Sequence, residues 1–190
     1  ACNTVVMRVD GFAAMPCFTF GNAMTSYTGQ NIGAGRMDRV NEGARAGMRL
    51  ALGVSITLVA ILLFFGKNVM HMFTDTTSLV DAGARVLWIM SIGYVALYIT
   101  QTLSGVMRGA GDTMTPMWIS IVVTVIIRMP LAYGIAYLTR TPELPTGSGD
   151  SIYYSQLLAW VLGAILNYAL YKKGVWKKRI DGSLKQSGIV

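Results

Sequence analysis

The chain has 190 residues, 53% of them hydrophobic and only 13% charged, with a formal net charge of +7. Soluble domains carry roughly 25% charged residues, so this composition, with a mean hydropathy of +0.50, argues against a soluble domain and for a membrane protein. The positive charge does not point to nucleic acid, because the basic residues lie between hydrophobic runs, as in the inward-facing loops of membrane proteins.

Residues 1–9 read as the tail of an earlier helix, with Arg8 and Asp10 at its exit. A spanning helix needs about 20 mostly apolar residues, and five segments qualify. The first covers residues 11–31 and has a polar second half: Asn22, Thr25, Ser26, Thr28, Gln30 and Asn31. The second, 48–65, contains the run LALGVSITLVAILLFF. The others cover 86–107, 116–138 and 151–171. None alternates apolar and polar residues as barrel strands do. The expected fold is therefore an all-α, polytopic membrane helix bundle with about five complete transmembrane helices. Residues 1–173 form its transmembrane lobe and 174–190 a basic tail. The chain begins at Ala1 with no basic segment before an apolar core, unlike a signal peptide, and reads as the carboxyl-terminal piece of a longer protein.

The loops set an orientation. Arg36, Arg39, Arg45 and Arg49 lie between spans one and two, and Arg108 between three and four. Lys172, Lys173, Lys177, Lys178, Arg179 and Lys185 follow span five. The positive-inside rule puts these in the cytoplasm, so the carboxyl terminus is cytoplasmic. The Pro-, Gly- and Ser-bearing loop TRTPELPTGSGD at 139–150 faces out.

Two stretches repeat one pattern, GQNIGAG at 29–35 and GVMRGAG at 105–111. Each closes an inward-running helix. Gly21, Thr25, Gly29 and Gly33 are four apart and share a helix face, as do Gly105 and Gly109. Small faces let helices approach closely in lipid. The last glycine of each copy, Gly35 and Gly111, suits the left-handed residue that ends a helix. Arg108 favours the carboxyl end of a helix dipole. Thr115 offers an N-cap, with Asp112 competing, and Pro116 suits the first helical position. A phosphate loop is excluded, because neither copy has the Gly-Lys-Ser/Thr ending.

Arg128 stands near the middle of span four, where a charge costs several kcal/mol and should face a cavity or a partner. Pro16 and Pro130 interrupt their spans, and broken helices are common where transporters bind and move. Span three has no acid between Arg85 and Asp112, but holds Thr100, Gln101, Thr102 and Ser104, while span five holds Gln156 and Asn167. Some of these make only interhelical hydrogen bonds, worth about 0.6 kcal/mol each. The 12 methionines suit a flexible lining or a lipid face. His71 has no local metal-ligand partners, Cys2 and Cys17 do not suggest a disulfide framework, and no catalytic constellation appears. No metal or cofactor is expected.

FTFGNAMTSYTGQNIGAGRMDR followed by QTLSGVMRGAGDTMTP resembles the carboxyl half of the multidrug and toxic compound extrusion (MATE) transporters, from about residue 1 to 171. The motif residues are Gly29, Gln30, Gly33 and Gly35, then Gly105, Arg108, Gly109, Gly111 and Asp112. The resemblance implies twelve helices in two six-helix lobes that alternate between outward and inward openings. It implies exchange of H+ or Na+ for cationic or amphipathic organic compounds, in the inner or plasma membrane. Residues 1–9 would then end helix seven, the five spans would be helices eight to twelve, and the partner would be a missing amino-terminal lobe. Some family members carry acids in helices seven and ten. The matching stretch, 92–103, has none, and Leu97 lies about where one would fall. The coupling acid is therefore expected in the amino-terminal lobe. Asn22, Thr25, Gln101 and Arg128 are expected to line or support a central cavity. The rival readings are a lipid-linked or polysaccharide flippase of the same superfamily, and a membrane scaffold subunit that does not transport.

Overall fold

The structure, a computed structural model, describes residues 2–72, 76–140 and 149–177. Among the described residues there are helices and turns and no strands. Five rods form the bundle: α1 (Cys2–Gly33), α2 (Met37–His71), α3 (Thr77–Gly109), a rod built of α4 (Met114–Ile121), a π-helical segment (Val122–Ile127) and α5 (Arg128–Leu138), and α6 (Ser151–Lys172). By length and apolarity α2, α3 and the α4–α5 rod can cross a membrane. The other two have the length, 32 and 22 residues, but are richer in polar side chains.

One expectation fails at the start of the chain. Residues 2–9 are not the tail of a separate helix, because α1 runs unbroken through Gly11 and Pro16. Val6, Val9, Ala13 and Cys17, spaced three or four apart, are all buried. They make one continuous apolar stripe, and packing along it outweighs the local breakers. Pro16 removes one backbone bond, which membrane helices tolerate, and does not interrupt the span.

α3 is the axis of the lobe. Its most apolar stretch is 61% buried, against 17% for α2 and 11% for the α4–α5 rod. α1 runs parallel to it at a fixed offset. The Tyr94 hydroxyl donates to the Asp10 carboxylate at 2.7 Å. A methyl group on Gly105 would meet the Gly21 carbonyl oxygen, and one on Gly109 the Thr25 carbonyl oxygen. Each pair differs by 84 in residue number. α6 is also parallel to α3, at an offset of 63. The Ser104 hydroxyl donates to Asn167 Oδ1 at 2.9 Å, and Thr100 Oγ1 lies 3.9 Å from the Cβ position of Gly163. α1, α3 and α6 thus stand side by side in one direction, while α2 and the α4–α5 rod return.

The offset also fixes depth. α3 ends at Gly109, level with Thr25, so α1 continues eight residues beyond it to Gly33, about 12 Å at 1.5 Å per residue. A span of about 20 residues that ends at this level starts near residue 6, not 11. The polar end of the expected first span therefore projects past the bundle: Ser26, Gln30 and Asn31 are not buried. Trp176, 1% exposed, fills the notch left where α3 stops, packed with Val40, Ala44, Met107 and Ala110. Of the expected outer loop at 139–150 and tail at 174–190, only 139–140, 149–150 and 174–177 lie within the described residues.

Candidate functional site

Both glycine-rich copies end helices by the same backbone device. Gly35 has φ +69 and Gly111 φ +82. The amide of Gly35 donates to Ile32 O at 2.9 Å and that of Arg36 to Asn31 O at 2.8 Å. In the second copy Gly111 donates to Arg108 O and Asp112 to Met107 O, each at 3.0 Å. This double closure is the Schellman arrangement. The amides that a phosphate loop would present are already spent on carbonyls. Arg36 then pairs with Asp38 at 3.0 Å, and its hydrogen bond holds the Asp38 carboxyl below the usual carboxylate range.

The start of the next rod differs in detail from expectation. Asp112 wins over the Thr115 hydroxyl: Asp112 Oδ1 accepts from the Thr115 amide at 3.1 Å. Pro116 is the third residue of α4 rather than the first, still within the turn that needs no amide donors. Asp112 is wholly buried, and its second oxygen has no hydrogen-bond partner among the described residues.

The small faces meet where the spacing places them, with one exception. Gly21, Thr25 and Gly29 lie against Gln101, Gly105 and Gly109, whereas Gly33 has nothing within 4 Å of its Cβ position because α3 has already ended.

A groove runs along the α4–α5 rod, between it and both α3 and α6 in one part and between it and the start of α6 in the other. Its inner part is a cavity of about 440 Å³ lined by Gln101, Arg108, Met117, Thr124 and Asn167, among others. The outer part, of about 580 Å³, is lined by Thr124, Arg128, Met129, Tyr133 and Ser155, among others. Thr124 belongs to both, so the two parts meet at the π-helical segment. That segment directly precedes Arg128, whose amide reaches back five residues to Val123 O. Pro130 explains the widening: its ring crowds the carbonyl four residues back and it supplies no amide. π-segments inside α-helices are rare and frequent at functional sites.

Four residues were expected at a cavity. Gln101 lines the inner part and Arg128 the outer. Thr25 lines neither; its hydroxyl is turned onto Gly21 O at 2.9 Å, and its role is at the α1–α3 crossing. Asn22 is exposed and lines neither. Arg108, expected only as a helix-end cation, also lines the inner cavity. Thr100 is a further polar wall residue, with a buried hydroxyl that has no partner among the described residues.

Sequence reasoning missed Asp10. It reads as a helix exit, yet it lies against Tyr94, 15 residues before the end of α3 and so about 22 Å from it. Tyr94 also packs on Trp160 of α6, ring centroids 5.6 Å apart. The only signal in the sequence was the unbroken three-and-four spacing of apolar residues across Asp10.

Comparison with known proteins fits this architecture. The family model described as MatE matches residues 1–134. The "Probable multidrug resistance protein YoeA" of Bacillus subtilis is 25% identical over 175 residues, covering 92% of this chain and 36% of the relative. The "Probable multidrug resistance protein NorM" of Thermotoga maritima is 24% identical over 173 residues, covering 91% and 36%. A solved structure described as an "Inward-facing conformation of a multidrug resistance MATE family transporter of the MOP superfamily" superposes with a TM-score of 0.74 at 16% identity. It covers 97% of this chain and 40% of that one, and supports the fold. The chain thus spans little more than a third of the length of these relatives. By its family match and its helical architecture, the chain belongs to the MatE family.

Proposed function

We propose that this chain is the carboxyl-terminal lobe of a cation-coupled antiporter, driven by H+ or Na+, that exports organic cationic or amphipathic compounds by alternating access. The observation that carries the reading is the groove along the α4–α5 rod, walled by α3 and α6 in its inner part and by α6 in its outer part. It is divided into an inner and an outer part at a π-helical segment, which is what a path with two gates requires. Its walls suit the cargo. Met117 and Met129 give an adaptable apolar lining, while Gln101, Thr100 and Thr124 supply hydrogen-bonding groups. The partner is the amino-terminal lobe, across the face that α2 and the α4–α5 rod leave uncovered. A coupling acid in that lobe, a multi-pass place in the cell membrane and a cytoplasmic carboxyl terminus complete the reading.

The test replaces Asn22, Thr25, Gln101 and Arg128 singly by Ala in the full-length protein. Efflux of a fluorescent organic cation is then measured at matched expression. Reduced efflux is expected for Gln101→Ala and Arg128→Ala above all. Wild-type efflux in all four variants would refute the reading.

A further inference from the structure

The outer part of the groove, of about 580 Å³, is in the size range of small-molecule sites. Met129, Ala132, Tyr133 and Ala136 lie three or four apart along its α5 wall, and Ile152 belongs to its wall on the first turn of α6. Among the described residues Arg128 is the one charged group in this wall. It is half-buried, and its guanidinium has no ion-pair partner within 4 Å among the described residues. The acids of the other helices are engaged elsewhere. Asp150, next to the wall residues Gly149 and Ser151, pairs with Arg85 at 3.6 Å. Asp112 accepts from the Thr115 amide and Asp10 from the Tyr94 hydroxyl. The Ser155 hydroxyl is turned onto Ile152 O at 2.8 Å. Arg128 therefore presents a positive charge and a fork of N–H donors to whatever enters.

Depth decides which anion suits it. Arg128 stands ten residues before Leu138, the end of α5, or about 15 Å at 1.5 Å per residue. That is half of a hydrocarbon core about 30 Å thick. Phospholipid phosphates lie at the membrane surface, too shallow for Arg128 by that distance. A compound that carries its anionic group on an apolar body does fit. Its carboxylate would take a bidentate pair of hydrogen bonds from the guanidinium, the strong geometry for this partner, and its body would lie along Met129 to Ala136. A lone guanidinium at this depth is costly, and a carboxylate paired with it offsets the cost. We propose that the outer part of the groove is a binding site for amphipathic compounds bearing a carboxylate, with Arg128 as the anchor. The inference deepens the antiporter reading, on which its use in transport rests, by assigning the carboxylate-bearing members of the amphipathic cargo to this site.

The test compares pyrenebutyrate with its methyl ester, two probes with one apolar body and different charge. Binding to the full-length protein in nanodiscs of zwitterionic lipid is read at neutral pH by energy transfer from tryptophan to pyrene. Specific binding is the part displaced by excess phenylbutyrate. The carboxylate should bind about tenfold tighter than the ester or more, as a charged hydrogen-bonded contact implies. Arg128→Gln should remove that preference and Arg128→Lys should keep part of it. Ala132→Phe leaves the charge in place and fills the cavity on a helix with no buried residues, so it should abolish specific binding of both probes and gives an independent reading where Arg128→Gln fails to fold. No displaceable binding, equal binding of acid and ester, or an unchanged preference in Arg128→Gln would overturn the site. So would loss of carboxylate binding when anionic phospholipid replaces part of the zwitterionic lipid, because a lipid phosphate would then be the occupant. Efflux of an organic cation, measured separately, keeps the two ideas apart. Carboxylate binding without efflux would refute transport alone, and efflux without carboxylate preference would refute this site alone.

Discussion

Gly109→Ala tests the closest point of the bundle. The added methyl would lie 2.7 Å from the Thr28 Cβ and 3.2 Å from the Gly29 nitrogen, and nearer still to the Thr25 carbonyl oxygen. Ordinary carbon contacts are about 3.5–4.0 Å, so α1 and α3 must separate by roughly 1 Å. The atoms in the way are mostly backbone and cannot rotate aside. A gap of that size forfeits about a quarter to a half of each contact along the crossing, and overpacking of this kind costs about 1–3 kcal/mol. At roughly 2–4 °C per kcal/mol for a unit of this size, the apparent melting temperature should fall by several degrees. The assay is fluorescence-detected gel filtration of the full-length protein in detergent after heating. Gly11→Ala is the control, because nothing lies within 4 Å of its Cβ position. Gly83→Ala should fall between them, since its methyl meets the flexible thioether end of Met70. If Gly109→Ala melts together with Gly11→Ala, the close crossing is not what holds these helices.

The remaining predictions use the same melting assay unless stated. Asn167→Leu leaves the buried Ser104 hydroxyl without its acceptor, and a double-mutant cycle with Ser104→Ala should show a coupling of about 0.6–1.7 kcal/mol. Asp112→Ala removes the acceptor for the Thr115 amide and should cost about 1 kcal/mol, while Asp112→Asn, which keeps an acceptor, should lose less. Trp176→Ala empties the notch beneath α3 and should cost about 3–5 kcal/mol. It should also speed protease cleavage after Lys172 or Lys173, because the Trp176 indole N–H donates to Tyr171 O at 3.2 Å and ties that turn down.

The sequence reveals helix ends better than helix neighbours. Gly35 and Gly111 were legible because a Schellman closure is written within six residues, and all its bonds are local. The five rods were legible because apolar length is a property of each segment alone. The Ser104–Asn167 bond was legible as a kind, not as a pair. Depth was not legible: the polar run after Asn22 looks like a wet membrane face until the end of α3 shows that its last turns stand outside the bundle. Pro16 and Pro130 are alike in sequence, yet one sits in an unbroken α-helix and the other follows a π-segment. What separates them is packing. The stripe from Val6 to Cys17 is buried on both sides of Pro16, whereas α5 has no buried residues at all. Asp10 and Tyr94 are joined although 84 positions separate them, and only the packing of α1 on α3 reveals it.

The overhang of α1 places part of this lobe in a different solvent. The hydrocarbon core is about 30 Å thick, while the whole bilayer with its headgroups reaches about 40–45 Å. The 12 Å that α1 extends past α3, with the first turns of α2 returning beside it, therefore stands at headgroup depth. Tyr27 holds the two together there, its hydroxyl donating to Arg39 O at 3.2 Å. Arg36, Arg39 and Arg45 on this hairpin then sit among lipid phosphates, each worth about 1 kcal/mol near an anionic surface. The lobe's tilt in a membrane is thereby tied to the fraction of acidic lipid in the leaflet that this hairpin meets.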